Sequence, residues 1–245
     1  FGYNAQGELL QYQSRVAKRS DLGGFSLNFG IIWSKKIFKS IELMASASLS
    51  PDSNISSKNK SQVATISIDS DQVEYIESSA DVDLELLNLS ETTLALPSKS
   101  SFGLGIGAPR SWFFGFDYSI TESSKYSNEF IEINNAYFED ASTFSLGGFF
   151  IPKYDSFSNY WKRIVYRAGI RMEQTGLVIN NQSIDEFGIS FGVGLPVGRL
   201  FSNANLGFEW GQRGTTSSNL AKETFFSFNV SLSVNDRWFE KRKFN

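Results

Sequence analysis

Apolar and polar residues take turns near the end of the chain. Phe226, Phe228, Val230, Leu232 and Val234 fall on one parity, and Ser227, Asn229, Ser231, Ser233 and Asn235 on the other. Successive strand side chains point to opposite faces, so this spacing predicts a strand with one apolar and one polar side. The same alternation marks 25–33, 41–49, 102–106, 112–120, 144–150, 164–172, 187–197 and 204–210, with a weaker segment over Tyr3–Val16. The pattern therefore predicts ten strands, most of them near the ~9–11 residues that a tilted strand needs to cross a bilayer. Their connections fall into a shorter set (34–40, 107–111, 152–162, 198–202) and a longer, more polar one (17–22, 50–98, 121–140, 174–183, 212–222). Segment 50–98 is too long for bare loop, and 62–69 and 82–89 read as strands of a projecting hairpin.

Two architectures share this pattern. A soluble β-sandwich turns its apolar faces inward, whereas a transmembrane barrel turns them to lipid. The barrel is favoured on three grounds. Its polar parity is rich in Gly, Ser and Asn rather than long charged residues. Bulky aromatics (Trp33, Trp112, Tyr118, Trp161, Trp210, Trp238 and Phe239) sit near strand ends, as interface girdles do. The strands also follow one another as a simple meander. The expected fold is thus an all-β, antiparallel up-and-down transmembrane barrel in one domain, 1–245. Residues 50–98 form its extracellular insertion and 236–245 its periplasmic tail.

Composition narrows the chemistry. The chain has 245 residues, a formal charge of -3, no histidine and no cysteine. The commonest general base, a Ser-His-Asp triad, a thiolate nucleophile and Cys-based metal sites are thereby excluded, and no enzyme, cofactor or metal site is expected. The charge is too small to suggest a nucleic-acid partner. No run of ~18 apolar residues predicts a membrane helix. The Gly103–Gly107 stretch GLGIG has the wrong spacing for a nucleotide loop and is soon followed by Pro109. The acidic stretch 69–85 lacks the glycine and spacing of an EF-hand and reads as solvated.

If the apolar parity meets lipid, the lumen receives Asp117, Arg167, Arg171, Glu173, Glu186, Asn205, Glu209 and Asn229. Such charges can tune passage through a barrel, but a structural ion-pair network is the favoured reading. Gly103, Gly105, Gly115, Gly147, Gly169, Gly188, Gly192 and Gly207 share this parity, which allows curvature or close approach of another segment.

The stretches PRSWFFGFDYS (109–119), YRAGIR (166–171), EFGISFGVGLPV (186–197), NANLGFEWGQRGT (203–215) and SLSVNDRWFEKRK (231–243), with FGYN at the start, resemble a divergent branch of the FadL-type outer-membrane transport family. The resemblance implies a 14-strand barrel plugged by a hatch, with the hatch and first four strands upstream of Phe1. Gly169, Gly188, Gly192 and Gly207 would then pack against the hatch. It further implies passive uptake of a hydrophobic small molecule across the outer membrane of a Gram-negative bacterium, among outer-membrane lipid. SVNDRWF would be the terminal signal that barrel-assembly machinery reads during insertion, with Trp238 and Phe239 at the periplasmic interface. The alternative function is a structural or docking subunit of a complex with other outer-membrane proteins, with 50–98 as its arm.

Overall fold

The computed structural model describes residues 12–69, 73–131, 135–197 and 202–233. Its strands in chain order are β1 (Gln13–Gly23), β2 (Phe29–Phe38), β3 (Ile41–Ser50), β4 (Ser53–Ile68), β5 (Glu74–Asp81), β6 (Glu91–Leu96), β7 (Lys99–Ala108), β8 (Trp112–Thr121), β9 (Ser127–Asn128), β10 (Ala136–Phe138), β11 (Ala141–Phe150), β12 (Val165–Ile179), β13 (Gln182–Val197), β14 (Ser202–Gly214) and β15 (Lys222–Ser233). The fold is all-β and antiparallel throughout, and its strands divide between two compact units.

The large unit is a curled ten-stranded sheet ordered β15-β14-β13-β12-β11-β8-β7-β3-β2, with β10 paired to the end of β12. Register preserves parity along this path, except at the end of the β2–β3 hairpin, where a bulge between Lys36 and Phe38 shifts it by one residue. The rung Ala45↔Leu104↔Phe116↔Leu146↔Ile170↔Ile189↔Trp210↔Phe226 is apolar, and the neighbouring rung Met44↔Gly105↔Gly115↔Gly147↔Gly169↔Ser190↔Glu209↔Ser227 is mostly small or polar. The sheet therefore has one apolar and one small-polar face. The apolar face stays open: on β15, Phe226 is 69%, Phe228 68%, Val230 60% and Leu232 73% exposed. A sandwich would bury these side chains against a second sheet.

The sequence pattern missed one hairpin turn and one bulge. Residues 174–183, expected to form a connection, instead extend β12 and β13 into a hairpin closed by Asn180 and Asn181, with φ of 50° and 61°. Both central residues of a type I′ turn take positive φ, and asparagine tolerates it. One rung earlier, Gly176 (φ 74°) makes a bulge where β12 shifts register, and its carbonyl accepts the Glu139 N–H at 2.7 Å. Strand β10 can then pair with Leu177–Ile179.

The smaller unit holds β1, β4, β5, β6 and β9. The segment expected as a first barrel strand, Tyr3–Val16, is described only from Tyr12; β1 starts at Gln13 and runs to Gly23, through residues expected to be loop. It pairs along β4 from Gln13↔Ile66 to Gly23↔Ser56 and so belongs to the five-stranded sheet. Its sequence, QSRVAKRSDLG, has no apolar face to continue the large sheet's apolar side. Within 50–98 the expected hairpin is also redrawn. Residues 62–69 fall mostly inside β4, whereas 82–89 form a turn in which Asp83 Oδ1 accepts the N–H groups of Glu85 (3.1 Å) and Leu86 (3.4 Å). Strands β5 and β6 flank that turn.

Strand β4 explains why this unit was hard to anticipate. Ser57, Asn59 and Ser61 are buried in its first half, and Ala64 and Ile66, of opposite parity, in its second. The buried side changes midway, so no single apolar stripe exists. Asn59 is the polar centre. Its Oδ1 accepts from the hydroxyls of Ser20 and Ser57, each at 2.7 Å, and its Nδ2 donates to the Leu89 carbonyl (2.9 Å) and Thr92 Oγ1 (2.8 Å). All four hydrogen-bonding positions of the amide are used, which is what its burial requires. Nearby, Lys18 Nζ donates to the Phe130 carbonyl at 2.9 Å and lies 5.0 Å from its ring centroid.

Replacing Asn59 by Ala strands several of these partners. A loss of about 3 kcal/mol is expected, confined to faster hydrogen exchange in β1, β4 and β6. Unchanged protection there would show that the amide does not hold the unit.

Candidate functional site

All eight expected lumen residues lie on the small-polar face of the large sheet. Asp117 is on β8, Arg167, Arg171 and Glu173 on β12, Glu186 on β13, Asn205 and Glu209 on β14, and Asn229 on β15. They do not form one cluster. Arg167 Nη1 donates to Asn205 Oδ1 at 3.1 Å, and Asn205 in turn donates to Ser231 Oγ at 3.4 Å. Asn229 donates to Ser227 on its own strand.

Apart from Asp117, the remaining charges condense around Glu186, whose side chain is only 2% exposed. One of its carboxylate oxygens pairs with Arg171 and the other with Arg213. Arg171 also reaches Glu173 at 2.8 Å and Glu209 at 3.3 Å. A carboxylate this buried is tolerated only if its lost hydration is replaced by paired donors. Two guanidinium groups supply them, and the network stitches β12, β13 and β14 together. Arg213 was missed because 212–222 reads as a connection. Yet it lies two same-face steps beyond Glu209, opposite Glu186, which extending the β14 alternation would have shown.

The glycines make room for these groups. A Cβ on Gly188 would lie 2.9 Å from Glu209 Oε1, and one on Gly103 3.3 Å from Asp117 Oδ2. At Gly169 the nearest atoms would be Ser190 Oγ (3.2 Å) and the Leu146 carbonyl (3.3 Å). Gly192 faces the Leu206 carbonyl, and Gly207 the Asn229 side chain. The space over all four expected hatch glycines is thus bordered by the sheet's own atoms. The Phe113 ring lies over Gly105 and Gly115 and stacks on Phe149 with centroids 6.1 Å apart. These two aromatics share the polar face, an intrusion that alternation alone does not reveal.

Residues from β2 to β14, including Ile32, Ser46, Asp117, Arg171 and Glu209, line one hollow of about 620 Å³. Strands so far apart in sheet order meet around one hollow only because the sheet curls toward this face. Every carboxylate of the Glu186 network has an arginine partner, so the arrangement suits holding strands together better than acid–base work.

Of the aromatics expected at interfaces, Trp33, Trp112, Tyr118 and Trp210 lie on the apolar face. On β2, Trp33 is the last residue of that face before Lys35; on β8, Trp112 opens the strand. Tyr118 and Trp210 lie toward the opposite end, where Gln212 follows Trp210 on the same face. Trp161 sits in a short 3-10 turn, Tyr160–Arg163. Trp238, Phe239 and the terminal signal from 234 onward lie outside the described residues.

Residues 3–245 match the BamG family. The chain belongs to the BamG family. No curated protein matches it. This assignment corrects the FadL resemblance, whose quoted motifs are mostly alternating strand sequence that unrelated barrels also need. The upstream hatch and the 14-strand count came from that resemblance and lose its support.

Replacing Glu186 by Leu would leave Arg171 and Arg213 facing each other. Breaking a fully buried pair costs about 3–5 kcal/mol. With Arg213 55% and Arg171 36% exposed, about 2–3 kcal/mol is expected here after solvent screening. The check is thermal unfolding of the detergent-solubilised protein, and adding Arg213→Met should recover part of the loss. No loss in the single variant would show the network to be energetically idle.

Proposed function

We propose that this chain is an outer-membrane-embedded subunit associated with the barrel-assembly machinery of a Gram-negative bacterium, with a structural or docking role and no transport of its own. The observation that supports this reading is the BamG match over residues 3–245, a family name in keeping with that machinery. Passive uptake of hydrophobic molecules gains nothing from that family.

The large sheet supports the membrane part of the reading. Its apolar face runs on β15 from Phe226 to Leu232, about 20 Å along the strand. A membrane barrel carries an apolar band of about 25 Å between aromatic girdles. On the other face, the network around Glu186 reads as a brace for the wall. The smaller unit, with its saturated Asn59 centre, is the part we assign to docking. The role includes no catalytic step: the chain has no histidine or cysteine, and the clustered carboxylates are engaged by arginines.

The reading is tested by mild-detergent purification of the tagged full chain from outer membranes, together with depletion. Co-purification of the machinery's core subunit, with slowed insertion of other barrel proteins on depletion, is expected. Purification without those subunits, with a depletion defect restricted to uptake of hydrophobic compounds, would contradict it.

A further inference from the structure

We propose that one end of the large sheet is a docking surface for anionic phospholipid headgroups. The inference rests on the reading that this sheet is embedded in a membrane. The end in question carries the β2–β3, β7–β8 and β11–β12 connections.

Charge is the first observation. Lys35, Lys36 and Lys39 lie at the β2–β3 hairpin, Arg110 at the β7–β8 turn, and Lys153, Lys162 and Arg163 between β11 and β12. The carboxylates of these three connections are Glu42, paired with Lys36 at 3.7 Å, and Asp155. The opposite strand ends show the reverse balance, with Glu122, Glu139, Asp140, Asp185 and Glu223 beside Lys99, Arg213 and Lys222. One side of the apolar band is therefore basic and the other acidic.

The second observation is that the basic end presents aromatics on an anchored loop. Between β11 and β12, Ile151 and Ile164 are buried, at 6% and 2% exposure. The Ile151 N–H donates to the Ser111 carbonyl at 2.6 Å, and Lys153 N–H to the Lys162 carbonyl at 2.7 Å. Between these anchors Phe157 is fully exposed and Trp161 70% exposed. The Arg110 guanidinium lies 5.3 Å from the Tyr154 ring centroid, and Arg163 5.4 Å from that of Tyr160. Amphipathic aromatics beside basic groups suit the headgroup layer, where one end of the side chain is apolar and the other wet.

Continuity with the apolar face is the third. The Tyr166 hydroxyl, on the first apolar-face position of β12, donates to the Trp161 carbonyl at 3.3 Å. The aromatic turn is thereby tied to the edge of the band that would meet acyl chains. An acidic protein partner would match the charge but would not need this continuity, so lipid is the occupant the structure favours.

The absence of cysteine permits clean single-cysteine reporters in the full chain. Phe157→Cys and Phe116→Cys would each carry an environment-sensitive fluorophore. The protein is placed in vesicles of phosphatidylethanolamine alone or mixed with phosphatidylglycerol. The residue-116 probe reports whether the apolar face meets lipid at all. The residue-157 probe should be shielded from an aqueous quencher, and more so with phosphatidylglycerol. In native mass spectrometry, the Lys153→Gln, Lys162→Gln, Arg163→Gln variant should retain phosphatidylglycerol less well, by about fivefold per cation removed. In the unsubstituted protein, raised salt should lower retention in the same direction. A shielded probe at 116 with an exposed one at 157, or equal retention of the two lipids, would overturn the headgroup proposal alone. An exposed probe at 116 would overturn the membrane reading itself.

Discussion

Strand register is the constraint on which the large sheet depends. Side chains alternate with a period of two, so a slip of one residue at any interface would carry every apolar residue beyond it to the wrong face. No such slip occurs from β3 to β15: Ala45 and Phe226 share a rung through eight strands, and the rungs on either side are small or polar except at Met44 and Phe225. The faces are kept pure enough for each to meet a different medium. The backbone contributes little to that choice, because its hydrogen bonds are satisfied in the ladder whichever way the side chains point.

Curvature follows from what fills the polar face. Gly147 opposes Gly169, and Gly103 and Gly105 oppose Asp117 and Gly115, so little side-chain bulk resists closure toward that side. Where bulk is present it is placed over glycine, as Phe113 is over Gly105 and Gly115. Register sets the charges of the neighbouring strands β12, β13 and β14 side by side, with Glu186 opposite both Glu173 and Arg213. Glu186 can be buried because Arg171 and Arg213 converge on it. The network is thus a consequence of register and a brace for the sheet.

The two-faced strands were readable in the sequence because their environment is uniform along each strand. Phe226 to Leu232 and Tyr166 to Met172 alternate without exception. The smaller unit was not, for a physical reason: β4 buries Ser57, Asn59 and Ser61 on one side and Ala64 and Ile66 on the other. A strand that changes its buried side leaves no periodic trace, and a centre built on a saturated asparagine leaves no hydrophobic one. Of the candidate site, the parity of the charged residues could be read, and so could Glu186 as the neighbour of Arg171 and Glu173 across the ladder. Arg213 could not, because it lay beyond the strand end that alternation alone suggested. Family assignment failed for a related reason: motifs such as EFGISFGVGLPV (186–197) record what a two-faced strand must be and do not identify the barrel that contains it.

A chain with one apolar face, one small-polar face and a second, polar-centred unit suits the proposed role beside the barrel-assembly machinery. Its central claim concerns the two faces of the large sheet. The most direct measurement is the reactivity of single cysteines at 188 through 193 on β13 toward a water-soluble, membrane-impermeant thiol reagent in opened outer-membrane vesicles. The account predicts alternation, with cysteines replacing Gly188, Ser190 and Gly192 labelled and those replacing Ile189, Phe191 and Val193 protected. Equal labelling at all six positions, or the opposite alternation, would contradict it.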